Sequence, residues 1–124
     1  MTMWIRSSSI LERCFGLLAI AALGVTPVLA QPGNDNPCGA EVLTPGLACV
    51  NSTWSNVAAT GTVGPPPPGC ASYAGGDVWF QLVIPVGGSI TVTTSTVLGS
   101  GLTDSGLAFY TGANCSAPFT LVGC

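Results

Sequence analysis

The chain has 124 residues, a formal net charge of −3, no histidine, and 48% hydrophobic residues against 6% charged ones. That apolar content predicts a folded chain, because disordered chains combine polarity with a lack of apolar side chains. Its basic residues, Arg6 and Arg13, both stand at the N-terminus, so the remainder has no cation with which to release counterions from a phosphate backbone. Nucleic acid and anionic membrane surfaces are thereby excluded as partners of that remainder.

The N-terminal region reads as a secretory signal peptide. Arg6 and Arg13 precede an apolar run from Phe15 to Val25, and Val28 and Ala30 sit at the minus-three and minus-one positions of a cut before Gln31. An apolar run of about 11 residues falls short of the roughly 20 that a membrane span needs, so no span is expected. Cys14 lies ahead of the apolar run, whereas a lipid anchor needs its cysteine at the cut. The predicted organisation is therefore a signal peptide over 1–30 and one secreted or cell-surface domain over 31–124. That domain carries Asp35, Glu41, Asp77 and Asp104 and no basic side chain.

After the cut, QPGNDNPCG is turn chemistry. Short strands are expected at Glu41 to Thr44, Cys49 to Thr53 and Val57 to Thr62. GPPPPGC, Gly64 to Cys70, joins neither ladder nor helix, because successive prolines lack amide donors and have fixed φ; it reads as a stiff connection of the polyproline type. From Asp77 to Ile84 the residues alternate. Val78, Phe80, Leu82 and Ile84 point one way and Trp79, Gln81 and Val83 the other, which predicts a central strand covered on both faces. Pro85 to Ser89 loops into a half-buried strand around Ile90 and Val92, so the two strands read as a hairpin. Further on, Leu107 and Phe109 are expected to face the core with Ala108 and Tyr110 outward, and Phe119 to Val122 forms a last strand with Phe119 and Leu121 on one face. Short strands separated by Gly and Pro turns, with no helical period after the leader, predict an all-β antiparallel sandwich.

Five cysteines follow the predicted cut: Cys38, Cys49, Cys70, Cys115 and Cys124. In an exported chain with no histidine and no Cys-x-x-Cys pair they read as disulfides. The short separations favour Cys38 with Cys49 and Cys115 with Cys124, leaving Cys70 over. An odd count with a cysteine as the final residue predicts that the chain is C-terminally truncated, with a partner for Cys70 beyond it.

Three stretches carry a family likeness: NDNPCGA, then PGCASYAGGDVWFQLVIPVGGSITVTT, then TDSGLAFYTGANCSAPFTLVGC. They resemble secreted β-sandwich modules of Bacteroidetes-type exported proteins, related to the bacterial pre-peptidase C-terminal domain. The resemblance covers nearly all of Asn34 to Cys124. It implies a non-catalytic jelly-roll sandwich appended to extracellular peptidases, glycosidases or adhesin-like proteins. In such chains an acidic run usually follows the position of Cys124, and here none does.

Catalysis is not expected: no histidine or lysine stands beside a nucleophile, and the few carboxylates mark no cleft. Two readings apply to Asn34, Asp35, Asn36 and Asp77. In one they make an Asx turn and a strand-start cap. In the other they hold calcium, a hard cation that takes oxygen ligands; the resemblance implies such a site where an Asn-Asp entry meets an Asp at a strand start. Asp104 reads as a turn residue. Trp54, Tyr73 and Tyr110 are candidate stacking surfaces for sugar rings. The expected function is a secreted binding module for extracellular protein or polysaccharide. The alternative is an accessory region of a larger exported peptidase or glycosidase.

Overall fold

A computed structural model describes residues 1–8, 30–70, 73–102, 104–116 and 118–124. The apolar run Phe15 to Val25 and Cys14 lie outside the described residues. The fold is all-β, with five strands in one sheet: β1 (Thr2–Ser8), β2 (Glu41–Leu43), β3 (Asp77–Val83), β4 (Gly106–Thr111) and β5 (Thr120–Gly123). Their order across the sheet is β2-β3-β1-β4-β5. One 3-10 turn, Pro37–Gly39, precedes β2.

The middle of the sheet is built from the N-terminus. β1, read from sequence as the basic lead of a signal peptide, pairs antiparallel with β3 from Thr2 opposite Val83 to Ser8 opposite Asp77. On its other side it pairs antiparallel with β4, from Met3 opposite Thr111 to Ser8 opposite Gly106. β2 pairs with β3 in parallel, and β5 closes the far edge against β4. The sheet is thus mixed, a correction to the expected antiparallel architecture, and no second sheet stands among the described strands.

Alternation along β3 sorts the core onto two faces. Val78, Phe80 and Leu82 join Met3 and Ile5 on one, while Trp79 joins Trp4, Ala108 and Tyr110 on the other. Covering both faces of the same strand matches the expectation for Asp77 to Ile84. The outward assignment of Ala108 and Tyr110 does not hold: both are buried, and Leu107 and Phe109 pack half-buried on the opposite face. Both faces of β4 are packed, Leu107 and Phe109 against the Ile5 cluster and Ala108 and Tyr110 in the Trp79 cluster. Phe119 and Leu121 do share one face, packed against the Trp79 cluster.

The expected hairpin partner of β3 is also corrected. Residues 89–96 form no strand, although Ile90 and Val92 pack against the Ile5 and Phe80 cluster. The reason is positional: β1 and β2 already occupy both edges of β3, so the Ile90 segment lies over the face and contributes side chains without a ladder. Cys49 to Thr53 and Val57 to Thr62 are likewise irregular.

Both disulfides are long-range, which corrects the expected local pairs. Cys38 bonds Cys115 (Cα–Cα 4.8 Å) and Cys70 bonds Cys124 (5.9 Å), while Cys49 is free and exposed. Local pairing presumes that cysteines near in sequence sit on adjacent strands. Here Ala40, two residues after Cys38, packs with Cys115 on the aromatic cluster. The proline loop is tied to β4 by Tyr110 Oη donating to Pro66 O at 2.8 Å, which carries Cys70 toward the β5 side of the sheet.

Candidate functional site

Asp77 begins β3 directly after two glycines held at positive φ, Gly75 at 88° and Gly76 at 69°. L side chains rarely adopt that backbone, and the turn it makes delivers Asp77 into the sheet. Its side chain is 0% exposed. Arg6 stands diagonally across on β1, opposite Trp79, and is buried with it. Diagonal neighbours on an antiparallel pair are within reach of long side chains, and this register brings the charges together.

The carboxylate is fully engaged. Oδ1 accepts from Arg6 Nη2 at 3.1 Å, from Thr62 N at 3.1 Å and from Tyr73 Oη at 2.6 Å. Oδ2 accepts from Thr62 Oγ1 at 2.7 Å and Trp79 Nε1 at 2.9 Å. Arg6 Nε lies 2.6 Å from the same oxygen as an ion pair, with its N–H outside hydrogen-bond alignment. An ionised carboxylate offers about four lone-pair positions, and all are taken. The guanidinium also donates through Nη2 to Thr62 O at 3.0 Å and lies over the Tyr73 ring, 4.0 Å from its centroid. The space beside it, lined by Pro68, Tyr73 and Leu107, measures about 10 Å³, the room of one water.

The other proposed calcium residues lie apart in their bonding. Asn34 is buried and donates through Nδ2 to Trp79 O at 3.1 Å, while its own carbonyl accepts from Trp79 N at 2.8 Å. Asp35 accepts from Thr60 N at 2.6 Å and Thr60 Oγ1 at 2.7 Å. Asn36 is exposed ahead of the 3-10 turn and its side chain makes no cap bond. Among the described residues no cluster of three or more His, Cys, Asp or Glu side chains converges. The residues present do not fit a calcium ion at Asp77: the positive charge there is Arg6, and N–H and O–H donors fill the positions that metal bonds would need.

The three aromatic candidates separate. Tyr110 is 0% exposed, a correction to its reading as a stacking surface; burial raises its hydroxyl pKa above the usual 10.0 against the opposing pull of Arg6. Tyr73 is half-buried and committed to Asp77 and Arg6. Trp54 alone of the three presents a face, at 43% exposure, anchored edge-on to Phe80 with centroids 5.5 Å apart. It lines an open groove of about 480 Å³ with Pro32, Gly33, Glu41, Thr53 and Ser55. Asp104 is exposed.

Sequence reasoning missed Arg6, because a basic residue in a leader carries no signal for a partner inside the domain. Period-two alternation over MTMWIR was the available clue. No protein-family model, curated protein or solved structure matches the chain. Among the described residues no helix is long and apolar enough to cross a membrane.

Proposed function

We propose that the domain is a non-catalytic, secreted module that binds extracellular polysaccharide or protein, and that its binding face is the Trp54 groove. The observation carrying this reading is an indole held half-exposed over a groove whose volume falls in the range of about 300–1,000 Å³ common to ligand sites. The rim adds the hydroxyls of Thr53 and Ser55 and the Glu41 carboxylate, which suit the hydroxyls of a sugar ring stacked on the indole. Arg6 is buried and Glu41 is exposed on β2, so neutral glycans suit the groove better than anionic ones. Both disulfides accord with an oxidising compartment. The chemically versatile groups, Asp77, Arg6 and Tyr73, are spent on one another, which supports a binding role over a catalytic one.

A panel of neutral oligosaccharides titrated into the full chain, followed by tryptophan fluorescence and calorimetry, tests the reading. At least one is expected to bind, and Trp54→Ala to weaken it about tenfold or more, the loss of roughly one stacked ring, with the β circular-dichroism spectrum retained. Silence across the panel, or equal binding by the variant, would count against the groove.

A further inference from the structure

The central strand and the predicted processing site are in conflict. β1 supplies both ladders that join β3 to β4, yet the sequence marks the Ala30–Gln31 bond as a cut that would release it. If residues 1–30 leave, β3 and β4 lose their common neighbour, and the sheet divides into β2-β3 and β4-β5. Met3 and Ile5 leave one core cluster and Trp4 the other.

The electrostatic consequence is sharper. The chain holds two Lys or Arg residues and no histidine, and both arginines precede the cut. Asp77 stays behind at the start of β3, held by Thr62, Tyr73 and Trp79 and stripped of Arg6. A carboxylate covered again by an incoming strand is strongly unfavourable without a cationic partner, and residues 31–124 hold no Lys, Arg or His to replace Arg6. A strand that refills the gap beside Asp77 therefore has to bring its own cation.

We propose that the space between β3 and β4 is a strand-binding site, and that the processed domain fills it with an extended, arginine-bearing segment of a second polypeptide. This is strand addition at an open sheet, in which main-chain bonds supply affinity and alternate side chains supply specificity. The occupant pairs antiparallel with both neighbours, places apolar side chains where Met3 and Ile5 sit, and sets a guanidinium on Asp77 where Arg6 sits. The position of Trp4 reads bulk, since its buried indole nitrogen meets no acceptor among the described residues. This site is separate from the Trp54 groove and does not depend on glycan binding.

The test uses the full chain with a specific protease sequence inserted at the Ala30–Gln31 bond. After folding and cleavage, the nicked protein is unfolded in urea with its disulfides intact, freed of the 1–30 peptide, and refolded with a fluorescent synthetic peptide spanning Met1 to Ser9. Incorporation of one peptide per domain is expected, with return of the β circular-dichroism signal and the uncut melting temperature. The same peptide carrying Arg6→Ala should bind roughly a hundredfold more weakly, or worse, as loss of one partner of a buried pair implies. Three results overturn the proposal: a remainder that regains its signal and melting temperature without peptide, failure of the unaltered peptide to enter, or equal entry by the Arg6→Ala peptide. A loss of glycan binding by Trp54→Ala would leave it untouched.

Discussion

Asp77 and Arg6 concentrate the polar energetics of the domain in one buried knot. Their side chains are 0% and 2% exposed, so solvent screens the pair little, and the cost of taking both charges out of water is offset only while every donor stays in place. Asp77→Ala removes the acceptor of Arg6, Thr62, Tyr73 and Trp79 together. It is expected to lower unfolding free energy by about 3–5 kcal/mol, measured by urea denaturation of the full chain. The double variant Arg6→Met with Asp77→Ala should be less destabilised than the single one, because it leaves no lone buried charge; a double variant that is worse would show that the pair matters through packing. Tyr110 makes a second statement at this scale. Its pKa in the folded chain is raised, chiefly by burial, so the folded state favours the neutral phenol. The stability this contributes is full below the unfolded value of about 10 and is lost as pH rises through the folded value. Melting temperatures of the parent should therefore fall more steeply above about pH 10 than those of Tyr110→Phe, which starts lower for want of the bond to Pro66. Parallel curves would mean that the phenol does not titrate on unfolding.

At the scale of elements, legibility followed how local the information was. β3 was readable because its alternation is continuous and both of its faces are apolar, and Pro85 fixed its end within two residues of Val83. β2 and β5 were placed to within a residue or two for the same reason, a short apolar run bounded by turn residues. The Ile90 segment shows what alternation cannot carry. A period of two reports that one face will be buried, and Ile90 and Val92 are indeed packed, but whether a ladder forms depends on a free edge, and β1 had taken it. For Tyr110 the pattern was right and the facing was wrong, since both faces of β4 are packed, Leu107 and Phe109 on one cluster and Ala108 and Tyr110 in the other. β1 itself is the largest omission. MTMWIRSS alternates as a strand should, but its place before an apolar run with a small-residue cut gives the stretch a competing meaning, and local pattern does not choose between them. The charge knot was half legible: the double glycine ahead of Asp77 marked a position where backbone geometry is special, while its partners came from Thr62, Tyr73 and a strand 71 residues away.

The whole molecule is held by closures that no local rule predicts. The strands that meet in the sheet come from opposite ends of the chain, and the two disulfides span 77 and 54 residues. Their spans overlap, since Cys70 lies inside the loop closed by Cys38 and Cys115. Closing long loops removes denatured-state entropy, worth about 2–4 kcal/mol for a typical native bond. Loop length enters only logarithmically, so the two bonds should differ by about 0.3 kcal/mol on entropy alone. Pairing and energetics can be read together. Trypsin is of little use, because no Lys or Arg follows Arg13; chymotryptic digestion without reduction cuts at aromatic and leucine residues and separates Cys38 from Cys49 and Cys115 from Cys124. Linked peptides should join Cys38 to Cys115 and Cys70 to Cys124, with Cys49 recovered as a free, alkylated thiol, and recovery of Cys38 bonded to Cys49 would refute this topology. Replacing both Cys38 and Cys115 by serine should cost about 2–4 kcal/mol in urea denaturation, and replacing Cys70 and Cys124 a closely similar amount. If one pair costs far more than the other, its contribution comes from native packing, and the aromatic cluster beside Cys115 makes the Cys38–Cys115 bond the one to show it.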